Sequence, residues 1–356
     1  MFLNLLLLFV PISLVLAHFF HGAPLWVFIT SLVAIVPLAE WMRRATDHLA
    51  RRAGPAIGGL LNVTFGNAAE LILALIMLEA NRQNVVKAQI TGSIIGNGLL
   101  GLGLAVLVGC WGKEKLTFKT ERAGLLSSLL ILSLLGLLIP AVFSHTEHVV
   151  LKAPHPGLQV ERLSLCVSCV LIFLYFANLA YTLVTHRDVF ALQEDDTDED
   201  AWPVWRSLAI LAGATAAITL ESELLSGALE ETAGRLHLTS FFLGVVVLAI
   251  VGNAAEYLAA IYFARRGQMG LVMTITVGST IQVALLVAPI LVIVSKLRGH
   301  PMDLVFGNPL ELLAVAGTAF AVNAIAHDGE VTWFEGLLLL GVYVMLALAF
   351  FFVNPP

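Results

Sequence analysis

The stretch Gly66-Asn67-Ala68-Ala69-Glu70 decides the fold, because it returns letter for letter as Gly252-Asn253-Ala254-Ala255-Glu256. Each copy lies midway along a run that is otherwise apolar enough to cross a bilayer. A Gly-Ser pair follows 26 positions after each Gly-Asn pair, as Gly92-Ser93 and as Gly278-Ser279. Ionisable residues are costly inside a membrane and mark ion pathways. The repeated carboxylate therefore predicts a two-fold cation site within a membrane.

The composition of the 356-residue chain is that of a membrane protein. Hydrophobic residues make up 59% of it and charged residues 12%, and the mean hydropathy is +0.92. Stretches of about 20 apolar residues, long enough to cross a bilayer, recur from end to end. The net charge of −6 is shared among loops, and no basic stripe indicates a nucleic-acid partner. Because no HExxH or GxSxG motif is present, we expect neither an enzyme nor a cofactor.

Eleven apolar runs predict an all-α integral membrane protein with eleven transmembrane helices. The predicted spans are 3–20, 24–42, 54–79, 87–111, 122–143, 163–185, 204–225, 240–264, 268–295, 305–326 and 331–353. The expected divisions are a lone N-terminal helix (1–21), a first five-helix repeat (22–187), an acidic cytoplasmic linker (188–203) and a second five-helix repeat (204–356).

The number of helices in each repeat determines its direction. Since five crossings are an odd number, the second repeat must enter the membrane upside down relative to the first. Inverted repeats of this kind place the substrate near the midplane, where the two units meet. A gene duplication that left no shared site is the alternative, but two identical carboxylates at equal depth favour a shared one.

The distribution of lysine and arginine predicts the orientation in the membrane. With the N-terminus inside, the cytoplasmic loops hold twelve of these residues and the opposite side holds seven. An excess of positive charge is typical of cytoplasmic loops, so we expect a cytoplasmic N-terminus. The short N-terminus favours a prokaryotic plasma (inner) membrane.

The motif residues suit a hard cation. Glycine weakens a helix and asparagine is a favoured N-cap, so each helix is expected to break at Gly66-Asn67 and at Gly252-Asn253. Asn67 with Glu70, and Asn253 with Glu256, have the spacing of a capping box. A break frees carbonyl groups, which are tolerated at membrane depth only where they line a cavity or meet a partner. Carbonyl and carboxylate oxygens are the ligands that Ca²⁺ prefers.

Neutral polar residues follow each motif and are candidates for the same site. Ser93 and Asn97 are four positions apart, and Ser279 and Gln282 are three apart, so each pair shares one helical face. Their oxygens are expected to line the ion path and to complete the ligand shell. Packing between helices is the alternative role, because small and polar residues commonly join membrane helices.

These segments resemble a known family of transporters. The matching segments are Thr64-Phe65-Gly66-Asn67-Ala68-Ala69-Glu70 with Gly92-Ser93-Ile94-Ile95, and Gly252-Asn253-Ala254-Ala255-Glu256 with Gly278-Ser279-Thr280-Ile281-Gln282. The chain is similar to the calcium/proton exchangers of the cation exchanger family, within the calcium/cation antiporter superfamily. The resemblance implies a lone first helix, two inverted five-helix units and alternating access. It implies Glu70 and Glu256 as the site that Ca²⁺ and protons share.

Two positions depart from the family pattern. Tyr257 stands where the family usually has histidine after the second motif glutamate, and Gly96 stands before Asn97 where a serine is usual. Both departures concern ion selectivity and the route of the proton.

Two neighbouring carboxylates explain why such a site exchanges ions. In a medium of low dielectric constant they cannot both stay ionised without a counter-charge. One divalent cation satisfies both carboxylates, and so do two protons, whereas an empty and doubly charged site is disfavoured. We therefore expect a proton gradient to drive Ca²⁺ out of the cell, with up to two protons exchanged.

An acidic run in the linker is a candidate regulatory segment. Six acids fall within seven positions: Glu194, Asp195, Asp196, Asp198, Glu199 and Asp200. Most charge runs are merely solvated, and this one lacks the glycine and spacing of an EF-hand loop. The family resemblance implies an acidic helix that binds Ca²⁺ weakly or regulates transport, and both interpretations stay open.

Three other transport functions are alternatives. A sodium/calcium exchanger shares the inverted fold, but its sodium sites are expected to need extra carboxylates on the facing helices. An exchanger of Mn²⁺ or another divalent cation for protons would use similar ligands. A cation channel would use the same oxygens without coupling to protons. The sequence leaves the oligomeric state open.

Overall fold

The computed structural model describes residues 2–20, 22–146, 156–182 and 202–353, and almost all of them are helical. The α-helices are Phe2–Leu5 (α1), Phe9–Phe19 (α2), Pro24–Phe65 (α3), Ala68–Glu79 (α4), Gln83–Ile95 (α5), Leu102–Gly109 (α6), Thr120–His145 (α7), Pro156–Ala180 (α8), Val204–Leu236 (α9), Ser240–Phe242 (α10), Ala249–Gly252 (α11), Ala254–Arg265 (α12), Met269–Gln282 (α13), Ala288–Leu297 (α14), Pro309–Ala326 (α15) and Trp333–Phe352 (α16). A 3-10 turn, Leu6–Leu8, joins α1 to α2. Three π-helical segments are Gly96–Gly101 (π1), Leu243–Leu248 (π2) and Val283–Val287 (π3).

The long helices have the length and composition of membrane spans. Within the described ranges, eight helices are long and apolar enough to cross a bilayer, and the bent pair Ser240–Gly252 and Ala254–Arg265 makes a ninth if it is counted as one span. Leu3–Phe19 is a shorter apolar helix. The expected class of nearly all-helical membrane protein is therefore observed, while the count of eleven helices and the inverted layout stay predictions.

Helix α3 covers two of the predicted spans without interruption. It begins at Pro24 and ends at Phe65, so it includes the whole of 24–42 and the first part of 54–79. The helix is bent, as the close approach of Gly58 to Ala50 shows: a Cβ atom added at Gly58 would overlap the carbonyl oxygen of Ala50. Residues eight apart in a straight helix are separated by about 12 Å along the axis. The backbone must therefore bend back between Ala50 and Gly58, and glycine at 58 permits the close approach.

Both motifs break their helices, as their sequence predicts. Helix α3 ends at Phe65 and α4 begins at Ala68, while α11 ends at Gly252 and α12 begins at Ala254. The second break bends the chain by 52°. The break positions are confirmed: Gly66 and Asn67 lie between two helices in the first half, and Asn253 lies between two helices in the second, directly after Gly252 ends α11.

The predicted capping boxes at these breaks are wrong. Asn67 and Asn253 occupy N-cap positions, but neither side chain makes a capping hydrogen bond. Both side chains reach across to other helices instead, because the network described below satisfies their amides. Complete capping boxes form elsewhere in the described chain, at Asn308 with Glu311 and at Thr332 with Glu335.

The helices that follow the two motifs share a second irregularity. Helix α5 changes into π1 at Gly96, 30 positions after Gly66, and α13 changes into π3 at Val283, 31 positions after Gly252. A π-helical turn inside an α-helix is costly and is frequent at functional sites. The equivalent placement of π1 and π3 indicates that both halves need a locally widened helix at this depth.

Two further contacts connect segments that are far apart in the sequence. A short two-stranded sheet pairs Leu116–Thr117 (β1) antiparallel with Glu330–Val331 (β2), so it joins the segment before α7 to the segment before α16. The N-terminal helix α2 packs against α3 and α9. Its Ser13 Oγ donates a hydrogen bond of 2.7 Å to Oε1 of the buried Glu221.

Candidate cation site

The two motif breaks meet in the interior, and Asn253 links them. Its Nδ2 donates to Glu70 Oε1 at 3.3 Å, to Ser93 Oγ at 3.1 Å and to the carbonyl oxygen of Ala249 at 2.8 Å. A Cβ atom added at Gly252 would lie 3.7 Å from Glu70 Cγ. The backbone of the second motif therefore packs directly against the carboxylate-bearing side chain of the first.

The first motif makes the reciprocal contact with the second half. Asn67 Nδ2 donates to Gln282 Oε1 at 2.7 Å, and Ser279 Oγ donates to Asn67 Oδ1 at 2.8 Å. Each motif asparagine therefore binds the serine that follows the opposite motif: Asn67 binds Ser279 and Asn253 binds Ser93. This crossed pattern is what two inverted halves are expected to produce where they meet.

Asn97 joins the two crossed contacts into one network. Its Nδ2 donates to Asn253 Oδ1 at 2.7 Å and to Ser279 Oγ at 3.0 Å. Glycines on both sides of Asn97 place it at the start of π1, where the helix widens. The structure thus brings together six of the predicted neutral residues with Glu70. They are Asn67, Ser93, Asn97, Asn253, Ser279 and Gln282.

Three carboxylate or amide oxygens of the predicted site residues have no hydrogen-bond partner among the described residues: Glu70 Oε2, Glu256 Oε2 and Asn97 Oδ1. Glu70 is only 2% exposed, and its charge lies close enough to that of Glu256 for the two to interact. An unsatisfied buried acceptor costs about 1–3 kcal/mol, and more when it is charged. The arrangement therefore favours the arrival of a proton or a cation at these oxygens.

The two glycines of the site hold different positions. Gly252 is buried at the end of α11, against Glu70. Gly66 lies in the turn between α3 and α4, beside Asn67. The carbonyl oxygens around both turns remain predicted ligands.

An arginine cluster borders the second motif, and sequence reasoning assigned it no role in the site. Arg43 Nε binds Glu40 Oε2 at 2.9 Å, and Arg43 Nη1 binds Asp47 Oδ2 at 2.6 Å. The charges of Arg43 and Glu40 also lie close enough to Glu256 to interact with it. The spacing of three and four positions within one helix was the available signal for the ion pairs. Their proximity to Glu256 depends on the packing of α3 against α12.

Two further points concern residues that could bind a metal ion. The acidic run at Glu194, Asp195, Asp196, Asp198, Glu199 and Asp200 lies outside the described residues. Within the described ranges, no group of three or more His, Cys, Asp or Glu residues could hold a metal ion. A cation at the motif pair would thus depend on two carboxylates and on the amide, hydroxyl and carbonyl oxygens around them.

Comparison with known proteins places this geometry in context. A family model described as "Sodium/calcium exchanger protein" matches residues 23–184 and 206–352. A Ca(2+)/H(+) antiporter of Aphanothece halophytica is 41% identical over 362 residues, which cover 98% of this chain and 95% of that one.

Two solved structures extend the comparison to the fold. The chain is similar to native YfkE with a TM-score of 0.85 and 34% identity, covering 99% of this chain and 100% of that one. It is similar to the H+/Ca2+ exchanger CAX with a TM-score of 0.71, covering 97% of this chain and 87% of that one. At 18% identity, this second likeness concerns the fold alone.

Proposed function

The chain belongs to the family described as "Sodium/calcium exchanger protein", and on that premise we propose that it is a Ca²⁺/H⁺ antiporter, as the resemblance of its motifs implies. It would be a secondary active transporter that works by alternating access, not an enzyme, and Ca²⁺ would be its substrate rather than a resident cofactor. The name of the Aphanothece halophytica relative, a Ca(2+)/H(+) antiporter at 41% identity, supports this choice of substrates.

One observation carries the proposal. Two buried carboxylate oxygens, Glu70 Oε2 and Glu256 Oε2, have no partner among the described residues and belong to the two motifs that meet at Asn253. The surrounding groups are neutral oxygens of amides and hydroxyls, of the kind that Ca²⁺ binds together with carboxylates. We assign Glu70 and Glu256 to the cation directly. We assign Asn67, Asn253, Ser93, Asn97, Ser279, Gln282 and the carbonyls of Gly66 and Gly252 to the lining of the site.

Exchange follows from competition for the carboxylates. With Ca²⁺ bound, both negative charges are neutralised; with protons bound, they are neutralised without the metal. The empty and doubly ionised pair is the costly state in a buried site. Reorientation of the empty site is therefore disfavoured, and the inward and outward movements are coupled to Ca²⁺ in one direction and to protons in the other.

The setting of the transporter is part of the proposal. We propose a cytoplasmic N-terminus, export of cytosolic Ca²⁺ across a prokaryotic inner membrane, and a division into 1–21, two inverted repeats at 22–187 and 204–356, and the linker 188–203. The acidic residues of that linker would sense cytosolic Ca²⁺.

Sodium is the less suitable driving ion. The facing helices carry no acidic or basic residue between Ala88 and Trp111, or between Gly270 and Ser295. Additional sodium sites would lack carboxylates there. We therefore expect a sodium gradient of equal size to replace the proton gradient poorly, and Mn²⁺ to compete with Ca²⁺ for the same pair.

The test is Ca²⁺ exchange in proteoliposomes, with Ca²⁺ uptake and intravesicular pH recorded together. Glu70→Gln and Glu256→Gln keep the shape of each side chain and remove its charge, so each is expected to leave less than about one hundredth of the exchange rate. Glu335→Gln is the matched control, because glutamine also serves at the third position of a capping box and Glu335 caps α16 away from the motifs. Exchange that survives in either motif variant would reject the assignment.

A further inference from the structure

The helices that follow the two motifs carry different residues at the position that Gln282 holds in the second half. Gln282 lies 30 positions after Gly252, and Gly96 lies 30 positions after Gly66. On the second half, the Gln282 side chain reaches the opposite motif and accepts a hydrogen bond from Asn67 Nδ2 at 2.7 Å. On the first half, Gly96 has no side chain. On that helix it is the next residue, Asn97, that binds Asn253 Oδ1, at 2.7 Å, so position 96 itself offers no polar side chain.

Tyr257 occupies the volume that a side chain at 96 would need. A Cβ atom added at Gly96 would overlap the Tyr257 hydroxyl oxygen, and the next nearest atom, Tyr257 Cζ, would be 3.6 Å away. The ring lies along the widened helix, since a Cβ atom at Gly101 would be 2.6 Å from Tyr257 Cδ1. In the first motif the residue that corresponds to Tyr257 is Leu71. The two differences between the halves therefore compensate each other in space.

The hydroxyl of Tyr257 is placed for a polar role. The residue is 6% exposed, and the hydroxyl has no hydrogen-bond partner among the described residues. It lies close enough to the carboxylates of Glu70 and Glu256, and to the Tyr343 hydroxyl of α16, to interact with them electrostatically. A buried tyrosine hydroxyl usually finds a partner, because leaving it unpaired is costly. An unpaired hydroxyl near two carboxylates indicates that its partner, a cation or a protonated carboxyl group, is bound in some states of the transport cycle and absent in others.

We propose that the Tyr257 hydroxyl is a neutral oxygen group of the cation and proton site, that it lies where the position corresponding to Gln282 carries no side chain, and that glycine at 96 admits it. A phenol oxygen both donates and accepts hydrogen bonds. It therefore offers a lone pair when Ca²⁺ is bound and can bond either a carboxylate or a protonated carboxyl group when the metal has left. This inference rests on the proposed function of the same site.

The first experiment removes the hydroxyl and keeps the ring. In proteoliposomes, Tyr257→Phe is expected to raise the half-saturating Ca²⁺ concentration about 3- to 10-fold, as for the loss of one neutral ligand. The maximal transport rate should stay within about twofold, because the phenyl ring still packs along π1. Tyr175→Phe is the matched control, because Tyr175 of α8 is also a buried tyrosine whose hydroxyl has no hydrogen-bond partner among the described residues. It should leave the half-saturating concentration within about twofold. A merely structural role for Tyr257 would lower the amount of folded protein without moving this concentration.

The second experiment uses the geometry at Gly96 and does not depend on transport. Gly96→Ala places a methyl group against the hydroxyl and is expected to lower the melting temperature. In the Tyr257→Phe background the same methyl group meets only Cζ at 3.6 Å, so the loss should be largely restored. Gly101→Ala is the control, because its clash is with Cδ1 of the ring and should persist in both backgrounds.

A third variant returns the polar group from the other helix. Gly96→Ser in the Tyr257→Phe background is expected to recover at least half of the Ca²⁺ affinity that Tyr257→Phe loses. No recovery in that double variant, when its melting temperature is restored, would overturn the assignment of a polar group to this place.

The outcomes separate this inference from the proposed function. If Glu70→Gln abolishes exchange while Tyr257→Phe leaves the half-saturating Ca²⁺ concentration unchanged, the role of the hydroxyl is rejected and the function stands. If Glu70→Gln exchanges normally, the assignment of the shared site is rejected, and if the unmodified protein does not exchange Ca²⁺ for protons, the proposed function is rejected. If Gly96→Ala is equally harmful in both backgrounds, the hydroxyl does not occupy the volume at 96, and the inference fails whatever the transport result.

Discussion

The two halves of the candidate site begin from identical letters and reach different surroundings. Glu70 is sealed in the interior at 2% exposure and accepts a hydrogen bond from Asn253. Glu256 is partly exposed and interacts electrostatically with Arg43 and Glu40. The motif determines where the helix breaks and which groups face the centre. The neighbouring helices determine how exposed each glutamate side chain is and which charged residues lie near it.

This difference has a consequence for transport. A carrier that works by alternating access exposes its site to one side at a time, so its two halves are not expected to look alike in any single conformation. The half that holds Glu256 is the more exposed one here. We therefore expect an ion to reach the pair from the side of Arg43 in this conformation, and to reach Glu70 last.

Removing one motif asparagine at a time tests most strongly whether the two halves of the site contribute unequally to transport. Asn253 contacts Glu70, Ser93 and Asn97, which belong to the opposite half, whereas Asn67 contacts Ser279 and Gln282. Asn253→Ala is expected to lower the ratio of maximal rate to half-saturating Ca²⁺ concentration about 10- to 100-fold, because three partners lose their bonds. Asn67→Ala should cost about threefold less.

The measurement is Ca²⁺ uptake in proteoliposomes at equal protein density, with the melting temperature as the check on folding. Equal losses in the two variants would show that the halves are functionally symmetric, and the contrast drawn above would be wrong. A larger loss in Asn67→Ala would reverse it.

A smaller effect is expected from the charge beside Glu256. Arg43 opposes the approach of a divalent cation, so Arg43→Gln should lower the half-saturating Ca²⁺ concentration about 3-fold above pH 8. The gain should shrink at lower pH, because protons are then also less repelled from Glu256. Arg44→Gln is the matched control: Arg44 binds the same Glu40 at 2.5 Å, but only Arg43 of the two is among the charges acting on Glu256. Similar shifts in both variants would remove Arg43 from the account.

The smallest effect is expected away from both motifs, at the two-stranded sheet. The Glu330 carboxylate accepts a hydrogen bond from Lys115 Nζ at 2.7 Å and raises the pKa of the Lys115 ammonium group. Because the pKa is raised in the folded state, the stabilisation is complete below the ordinary lysine pKa of about 10.4 and is lost as the pH rises through the folded-state value.

Lys115→Met should therefore lower the melting temperature slightly, and by the same amount at pH 7 and at pH 9. The pair is half-exposed, and such pairs contribute little. The half-saturating Ca²⁺ concentration should not change. A shift as large as that of Arg43→Gln would contradict the view that only charges beside the motifs tune the site.

Much of the site was predictable because polar groups in apolar runs have few ways to be satisfied. Asn67, Ser93, Asn97, Asn253, Ser279 and Gln282 are costly at membrane depth unless they find each other. Their identity and repeat spacing therefore predicted that they converge. The helix breaks were predictable for a similar reason, since glycine followed by asparagine weakens a helix locally.

The partners of those groups were not predictable, because tertiary contacts compete with local ones. The spacing of Asn67 and Glu70 suits a capping box, yet the amide binds Gln282 on another helix. The sequence does not indicate where the Tyr257 hydroxyl lies, because consecutive residues of a helix point in different directions. Only the packing of its ring along π1 shows the hydroxyl beside Gly96. The bend that brings Gly58 to Ala50 did have a local signal, because Gly54-Pro55 lies between them and proline kinks or breaks a helix.

Whether the two motifs together form one Ca²⁺ site is tested most directly by Ca²⁺ binding to the purified protein. Isothermal titration with Ca²⁺ should give one ion per chain for the unmodified protein, and no measurable binding for either Glu70→Gln or Glu256→Gln. Two ions per chain, or one ion retained in either single variant, would show that each half binds on its own and would contradict the account.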